Sequence, residues 1–251
     1  MIGLISTRII QILILTFFIS TNSFAGNPTD NIGTLRVVFK HYANGKEIVL
    51  RDSMYKNSEG EFYSIKKLRY YVSNIKIGKT TFEKDELNYQ LIDLRGSTSF
   101  DLPLNAGSYI RFDFLLGVDS LRNCSGAQTG ALDPRKDMFW TWNTGYVIFK
   151  LEGTSPESNA DLNRIEHHVG GYRFGNNVST DISLKIKPNE LIIKKGKVTE
   201  IVIYVDMDKY WSSVNNISIA ADPLCTLPGE LAKKIAANFP DLFSVKSIKQ
   251  L

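Results

Sequence analysis

Three histidines and a pair of tryptophans are the side chains whose types and spacing suggest chemistry. His41 ends the first predicted strand, and the adjacent His167 and His168 precede the pair Gly170-Gly171. Glycine beside a strand end permits a bulge or a close backbone approach, which can aim a side chain into a site. Imidazole pairs suit copper and zinc, so the distribution is compatible with a metal site that needs a further ligand.

Trp140 and Trp142 follow a polar segment, Asp119 to Asp137, that is long for a loop in a compact domain. Two interpretations remain open. The indoles pack the end of a β-sandwich, as tryptophan usually does, or they line a site served by the loop. Candidates for the further metal ligand are Met138, Asp119, Asp206 and a chemically modified tryptophan.

Period-two alternation of apolar and polar residues predicts the elements that position these side chains. It indicates an all-β protein, an antiparallel β-sandwich with long loops and a C-terminal helix over Pro228 to Phe239, capped by Thr226. On such strands His167 and His168 point to opposite faces, so only one of them can join a shared site. The predicted strands are 35–41, 48–50, 62–65, 68–77, 89–94, 109–116, 146–151, 164–169, 182–186 and 198–205.

The N-terminus has the features of a secretory signal peptide. Arg8 precedes an apolar run from Ile9 to Ile19, and Ser23-Phe24-Ala25 supplies small residues at the cleavage positions. We therefore expect a signal peptide at 1–25, a single mature domain at 26–251, and a periplasmic or secreted location. No cysteine follows the cleavage point, and no stretch is long and apolar enough to predict a membrane span.

Composition and motifs narrow the function class. The chain has 30 Lys and Arg against 26 Asp and Glu, a formal net charge of +4, and scattered basic residues, which argues against nucleic-acid binding. It lacks the GxSxG, HExxH, P-loop and CxxCH motifs of common enzyme classes. These features favour a protein that is not an enzyme.

The two cysteines, Cys124 and Cys225, are far apart in the sequence. An oxidising compartment favours a disulfide between them, and free buried thiols are the main alternative.

Several motifs together resemble the MbnP-type copper-binding protein family, over nearly the whole mature chain. They are LRYYVSNIKI at 68–77, GVDSLRNCSGAQTGALDP at 117–134, MFWTWNTGYVIFKLEG at 138–153, HVGGY at 168–172 and LAKKIAANFPDLFSV at 231–245. The combination of MFWTWNTGY with SGAQTGALDP is specific.

The resemblance implies an exported β-rich protein for copper capture, storage or handover. In that family a partner dihaem cytochrome c peroxidase-like enzyme of the MbnH type oxidises one tryptophan to kynurenine, and copper is held by histidines and the modified residue. Carried over to this sequence, the expected copper ligands are His41 and His168, and the oxidised residue is Trp140 or Trp142. The alternative is an extracellular β-sandwich that binds or adheres to a partner without metal.

Overall fold

Alternating sequence patterns become strands along most of the chain. The computed structural model describes residues 31–82, 84–126, 128–141 and 144–251, so the predicted signal peptide and Trp142 lie outside the described residues. In the described residues the strands are β1 (Ile32–Ala43), β2 (Lys46–Glu47), β3 (Tyr55–Lys56), β4 (Phe62–Ile77), β5 (Thr80–Thr81), β6 (Gln90–Asp93), β7 (Ser99–Asn105), β8 (Gly107–Tyr109), β9 (Arg111–Leu116), β10 (Phe139–Thr141), β11 (Gly145–Thr154), β12 (Arg164–Gly170), β13 (Thr180–Lys185), β14 (Leu191–Ile193), β15 (Val198–Asp206), β16 (Leu224–Cys225) and β17 (Phe243–Gln250).

Helices are short and lie between strands. The α-helices are α1 (Asp85–Asn88), α2 (Ser120–Cys124), α3 (Met207–Trp211) and α4 (Glu230–Ala236). Single 3-10 turns occupy Gly130–Leu132, Pro134–Lys136, Asp161–Asn163 and Phe239–Leu242. No helix in the described ranges is both long enough and apolar enough to cross a membrane.

Two sheets form the sandwich, and the predicted all-β fold is confirmed. The first sheet has the order β17-β15-β1-β2, with β7 also paired to β1, and the second has the order β13-β9-β4-β11-β12-β16. Most pairs are antiparallel, but β1 runs parallel to β15 and β12 runs parallel to β16. The sheets are therefore mixed, because alternation along one strand carries no information on the direction of its partner.

The main core fills the space between the sheets. Phe39 of β1 packs edge-on to Tyr70 of β4, and Tyr70 stacks on Phe149 of β11 with ring centroids 5.3 Å apart. Trp211 is completely buried. It lies beside Tyr210 at the end of α3, with ring centroids 5.1 Å apart. These contacts fix which faces of β1, β4 and β11 point inward.

Three local predictions need correction. The two predicted strands at 62–65 and 68–77 are one strand, β4, and 48–50 lies outside the strands. The C-terminal helix, α4, is shorter than predicted, and its N-cap is Gly229 instead of Thr226. The chain then forms β17, which pairs with β15 and completes the edge of the first sheet.

Glycine is required at position 153, where β11 pairs with β4. A Cβ atom at Gly153 would lie 1.9 Å from the carbonyl oxygen of Ser64, at a register shift between the two strands. We expect Gly153→Ala to lower the free energy of unfolding by about 1–3 kcal/mol, the usual cost of forcing extra volume into packed structure. Urea unfolding measures this. Gly96→Ala is the matched control, because its Cβ would approach no atom closer than 3.7 Å; equal effects of the two substitutions would contradict the explanation.

Candidate metal centre

Strand β12 divides its histidines between two faces of the second sheet. Its burial alternates, so Ile165, His167 and Val169 face the main core, whereas Glu166 and His168 lie on the opposite face. We call that opposite side the outer face. The prediction that the adjacent histidines point in opposite directions is confirmed.

His168 is held on the outer face by carboxylates. Its Nε2 lies 3.0 Å from Oε1 of Glu152 on β11 and 3.6 Å from Oε1 of Glu166. Glu152 also accepts from Lys67 on β4, at 3.0 Å from Nζ to Oε2. The hydrogen bond with His168, aided by Lys67, lowers the pKa of Glu152 to about 2. Glu152 is therefore an ionised acceptor at neutral pH.

Trp140 lies on the same outer face as His168. A Cβ atom added to Gly170 would meet Cζ3 of Trp140 at 2.8 Å and its Cη2 at 3.1 Å, so the six-membered ring of the indole covers that glycine. Gly170 follows His168 by two residues on β12, and at a register shift in β11 it pairs with Val147, a member of the cluster that packs against Trp140. The Cα atoms of His168 and Gly170 are therefore roughly 7 Å apart and their side-chain positions share a face.

A second hydrophobic cluster supports Trp140 from the outer face. Trp140 and Phe139 pack against buried residues from β4, β11 and the preceding segment. The buried members of this cluster are Tyr71, Tyr89, Val118, Leu132, Met138, Tyr146 and Val147. Trp140 is thus half-buried against this cluster.

The polar segment before Trp140 is organised by hydrogen bonds. The Asp119 side chain accepts from the backbone N–H of Arg122 and caps α2. Asn123 accepts from the backbone N–H of Tyr146 at 2.9 Å, which ties α2 to β11. The segment therefore packs over the outer face and places the Trp140 indole on that face.

His41 occupies a different environment, on the inner face. Its Nε2 lies 2.9 Å from the hydroxyl of Tyr70, and the ring is almost fully buried in the main core. Burial, which penalises the charged imidazolium, lowers the pKa of His41 to about 3. His41 is a neutral core residue paired with a tyrosine.

The structure does not bring His41 and His168 together. Tyr70, the partner of His41, stands opposite Phe149 on the inner face of β11. His168 stands opposite the next residue, Lys150, whose side chain points outward. The sheet itself therefore separates the two imidazoles that the sequence assigned to one ion.

His167 is satisfied by the core. Its Nε2 lies 2.7 Å from the backbone oxygen of Asp222, and its Nδ1 lies 2.8 Å from the hydroxyl of Tyr210. A carbonyl only accepts, so Nε2 carries the hydrogen and Nδ1 accepts from the tyrosine. Both ring nitrogens have partners, which leaves none for a metal.

The predicted disulfide is not formed. Cys124 is exposed at the end of α2, whereas Cys225 is buried in β16, and both thiols are free. Burial raises the pKa of the Cys225 thiol to about 12, so it behaves as a core side chain. Sequence separation alone could not place one cysteine on the surface and the other in the interior.

The native side chains supply an incomplete donor set for copper. Within the described ranges, no group of three His, Cys, Asp or Glu residues is arranged to hold a metal ion. Met138 is buried in the outer cluster, and Asp206 caps α3 by accepting from the backbone N–H of Asp208. Nδ1 of His168 has no hydrogen-bond partner in the described part of the chain. One imidazole nitrogen on the outer face is thus unpaired among the described residues, and the side chains around it do not by themselves form a metal site.

Sequence reasoning missed the charged residues around His168. Lys67, Lys150 and Glu152 lie on strands at positions that normally face solvent, yet Lys150 is only 3% exposed. The available signal was the charge spacing Lys150-Leu151-Glu152 within an otherwise apolar strand, which places both charges on one face.

The buried state of His41 predicts its titration. Because the unfolded chain takes up a proton near the ordinary histidine pKa and the folded chain does so only near pH 3, folding stability should fall as pH decreases through this window, by up to about 1.4 kcal/mol per pH unit. NMR should find the His41 ring neutral at pH 5. His41→Phe should flatten the pH dependence of the urea midpoint, and an imidazole titrating near its ordinary pKa would contradict the burial argument.

Comparisons with known proteins identify a family and a similar fold. A family model described as MbnP matches residues 32–227. The fold is similar to that of MbnP from Methylosinus trichosporium, with a TM-score of 0.51 and 14% sequence identity, over 87% of this chain and 99% of that one. A comparison with curated proteins found no match. Because the family match extends over most of the chain, this protein belongs to the MbnP family.

Proposed function

We propose that this chain is an exported copper-binding protein whose site is completed by oxidation of a tryptophan. The site lies on the outer face and comprises His168 and Trp140, with Trp142 as the second candidate for oxidation. The protein is not itself an enzyme. Its task is copper capture, storage or handover.

The observation that carries this proposal is the shared face of His168 and Trp140. The indole covers Gly170, two residues from His168, so an imidazole nitrogen and an aromatic ring lie along one face of β12. Nδ1 of His168 is the ring nitrogen without a partner in the described residues. A nitrogen donor created on the neighbouring ring would complement it, since nitrogen ligands suit copper.

Oxidation would create that donor from an indole, which lacks a lone pair suited to a metal. In this reaction the C2–C3 bond of the indole is cleaved and the ring gains two oxygen atoms. Two equivalents of hydrogen peroxide supply these atoms and are reduced to two molecules of water. Water then removes the N-formyl group as formic acid. The product, kynurenine, has an aromatic amine and a ketone where the indole had a ring nitrogen. An exported dihaem peroxidase-like partner of the MbnH type is the proposed catalyst.

Two features of the chain assist such a reaction. Packing against the outer cluster holds one side of Trp140, while its half-exposed position leaves the ring within reach of an oxidising partner. Copper bound to the product would be held by Nδ1 of His168 and the new amine. The proposed site does not include His41, because His41 lies in the main core and the sheet separates it from His168.

The first prediction concerns the two histidines. In protein isolated from the cells that export it, His168→Ala should abolish tight copper, whereas a His41 substitution that preserves the core, His41→Phe, should leave the copper-to-protein ratio unchanged. Metal analysis after dialysis measures both. Circular dichroism must show that each variant is folded. Retention of copper by folded His168→Ala would refute the proposal, and loss of copper in both variants would restore His41 to the site.

The second prediction concerns the oxidised residue. Intact-mass and peptide mass spectrometry should find one tryptophan that has lost one carbon and gained one oxygen, and only when the oxidising partner is present. Trp140→Phe should remove this change, and Trp142→Phe is the matched control. A change that persists in Trp140→Phe and disappears in Trp142→Phe assigns the reaction to the second indole. An unmodified protein with full copper would refute the role of oxidation.

A further inference from the structure

The contact between Glu152 and His168 determines which ring nitrogen is available. Glu152 forms an ion pair with the ammonium group of Lys67, and the oxygens of such a carboxylate only accept hydrogen bonds. Its Oε1 lies 3.0 Å from Nε2 of His168. In the neutral imidazole the single N–H must therefore be at Nε2, and Nδ1 is left with its lone pair.

A lysine keeps Glu152 in this position. Nζ of Lys67 lies 3.0 Å from Oε2 of Glu152 and 3.0 Å from Oδ2 of Asp137. The side chains of Lys67 and Glu152 are 16% and 28% exposed, so the pair is partly shielded from water. Lys67 therefore contacts both oxygens of the carboxylate, and one of them, Oε1, also faces the histidine.

The same charges hold the segment that carries Trp140. Lys150 donates to the backbone oxygen of Asp137 and lies 3.1 Å from its Oδ1. Arg69 donates to the backbone oxygen of Lys136 at 3.0 Å. Since Asp137 precedes Trp140 by three residues, one ionic network places both the imidazole and the indole.

We infer that Glu152 is a positioning residue that fixes His168 as its Nε2–H tautomer and so reserves Nδ1 for a ligand, with Lys67 and Asp137 linking this orientation to the Trp140 segment. The tautomer follows from the metal-free geometry. That the ligand is copper rests on the proposed function. A carboxylate that orients a metal-binding histidine typically supports affinity roughly 10- to 100-fold.

The tautomer is measured without copper. Long-range ¹H–¹⁵N correlation spectra, recorded where the imidazole is neutral, should show the His168 hydrogen on Nε2 in the metal-free protein. Glu152→Gln should produce a mixture of tautomers, because an amide both donates and accepts. Glu166→Gln is the matched control, since Glu166 lies on the same face but 3.6 Å from Nε2; it should leave the tautomer unchanged. A hydrogen on Nδ1 in the wild type, or equal effects of the two variants, would overturn the inference.

Copper affinity then separates this inference from the proposed function. With copper alone as the probe, Glu152→Gln should bind roughly 10- to 100-fold more weakly than the wild type, and Glu166→Gln should bind normally. Full affinity in Glu152→Gln, together with lost binding in His168→Ala, would overturn the positioning role and leave the copper site intact. Full affinity in His168→Ala would refute the copper site itself, while the tautomer measurement would still decide the role of Glu152.

Discussion

Side-chain alternation along β11 and β12 is the constraint on which the rest of the site depends. Phe149 and Val169 stand opposite each other and point into the core, so their neighbours Lys150 and His168 must point outward. A shift of one residue in this register would exchange the two sets and bury the charges in the aromatic core. The stack of Phe149 on Tyr70 opposes such a shift. Core packing thus fixes the site on the opposite side of the sheet.

Charge pairing on the outer face makes this arrangement specific. Lys150 is nearly buried, and a buried ammonium without partners would be strongly unfavourable. The Asp137 carboxylate and backbone oxygen supply partners, and Asp137 is held in the left-handed region with a φ of 59°. Removing one member would leave its partner poorly compensated, which costs more than the pair itself contributes. The network therefore helps to fix the path of the chain into β10.

Much of the fold was predictable because it is local. Alternation located β1, β12 and β15, and it correctly separated the faces of His167 and His168. The relation between His41 and His168 was not predictable, because it depends on which strands pair and which faces of the two sheets meet. Glu152 was missed for a similar reason: a charged residue in a strand is normally solvated, and only the packing of the loop over it converts it into a partner for His168.

The two faces of the second sheet differ in what their polar groups have left to bind. On the inner face, Tyr210 and the Asp222 carbonyl occupy both nitrogens of His167, and Tyr70 occupies Nε2 of the neutral, buried His41. Binding a metal at His167 would break a buried hydrogen bond, and at either histidine it would introduce charge into an aromatic core, both of which are costly. On the outer face, the ring of His168 is fixed at one nitrogen beside an indole. Metal binding is therefore less costly on the outer face than at the histidines of the core.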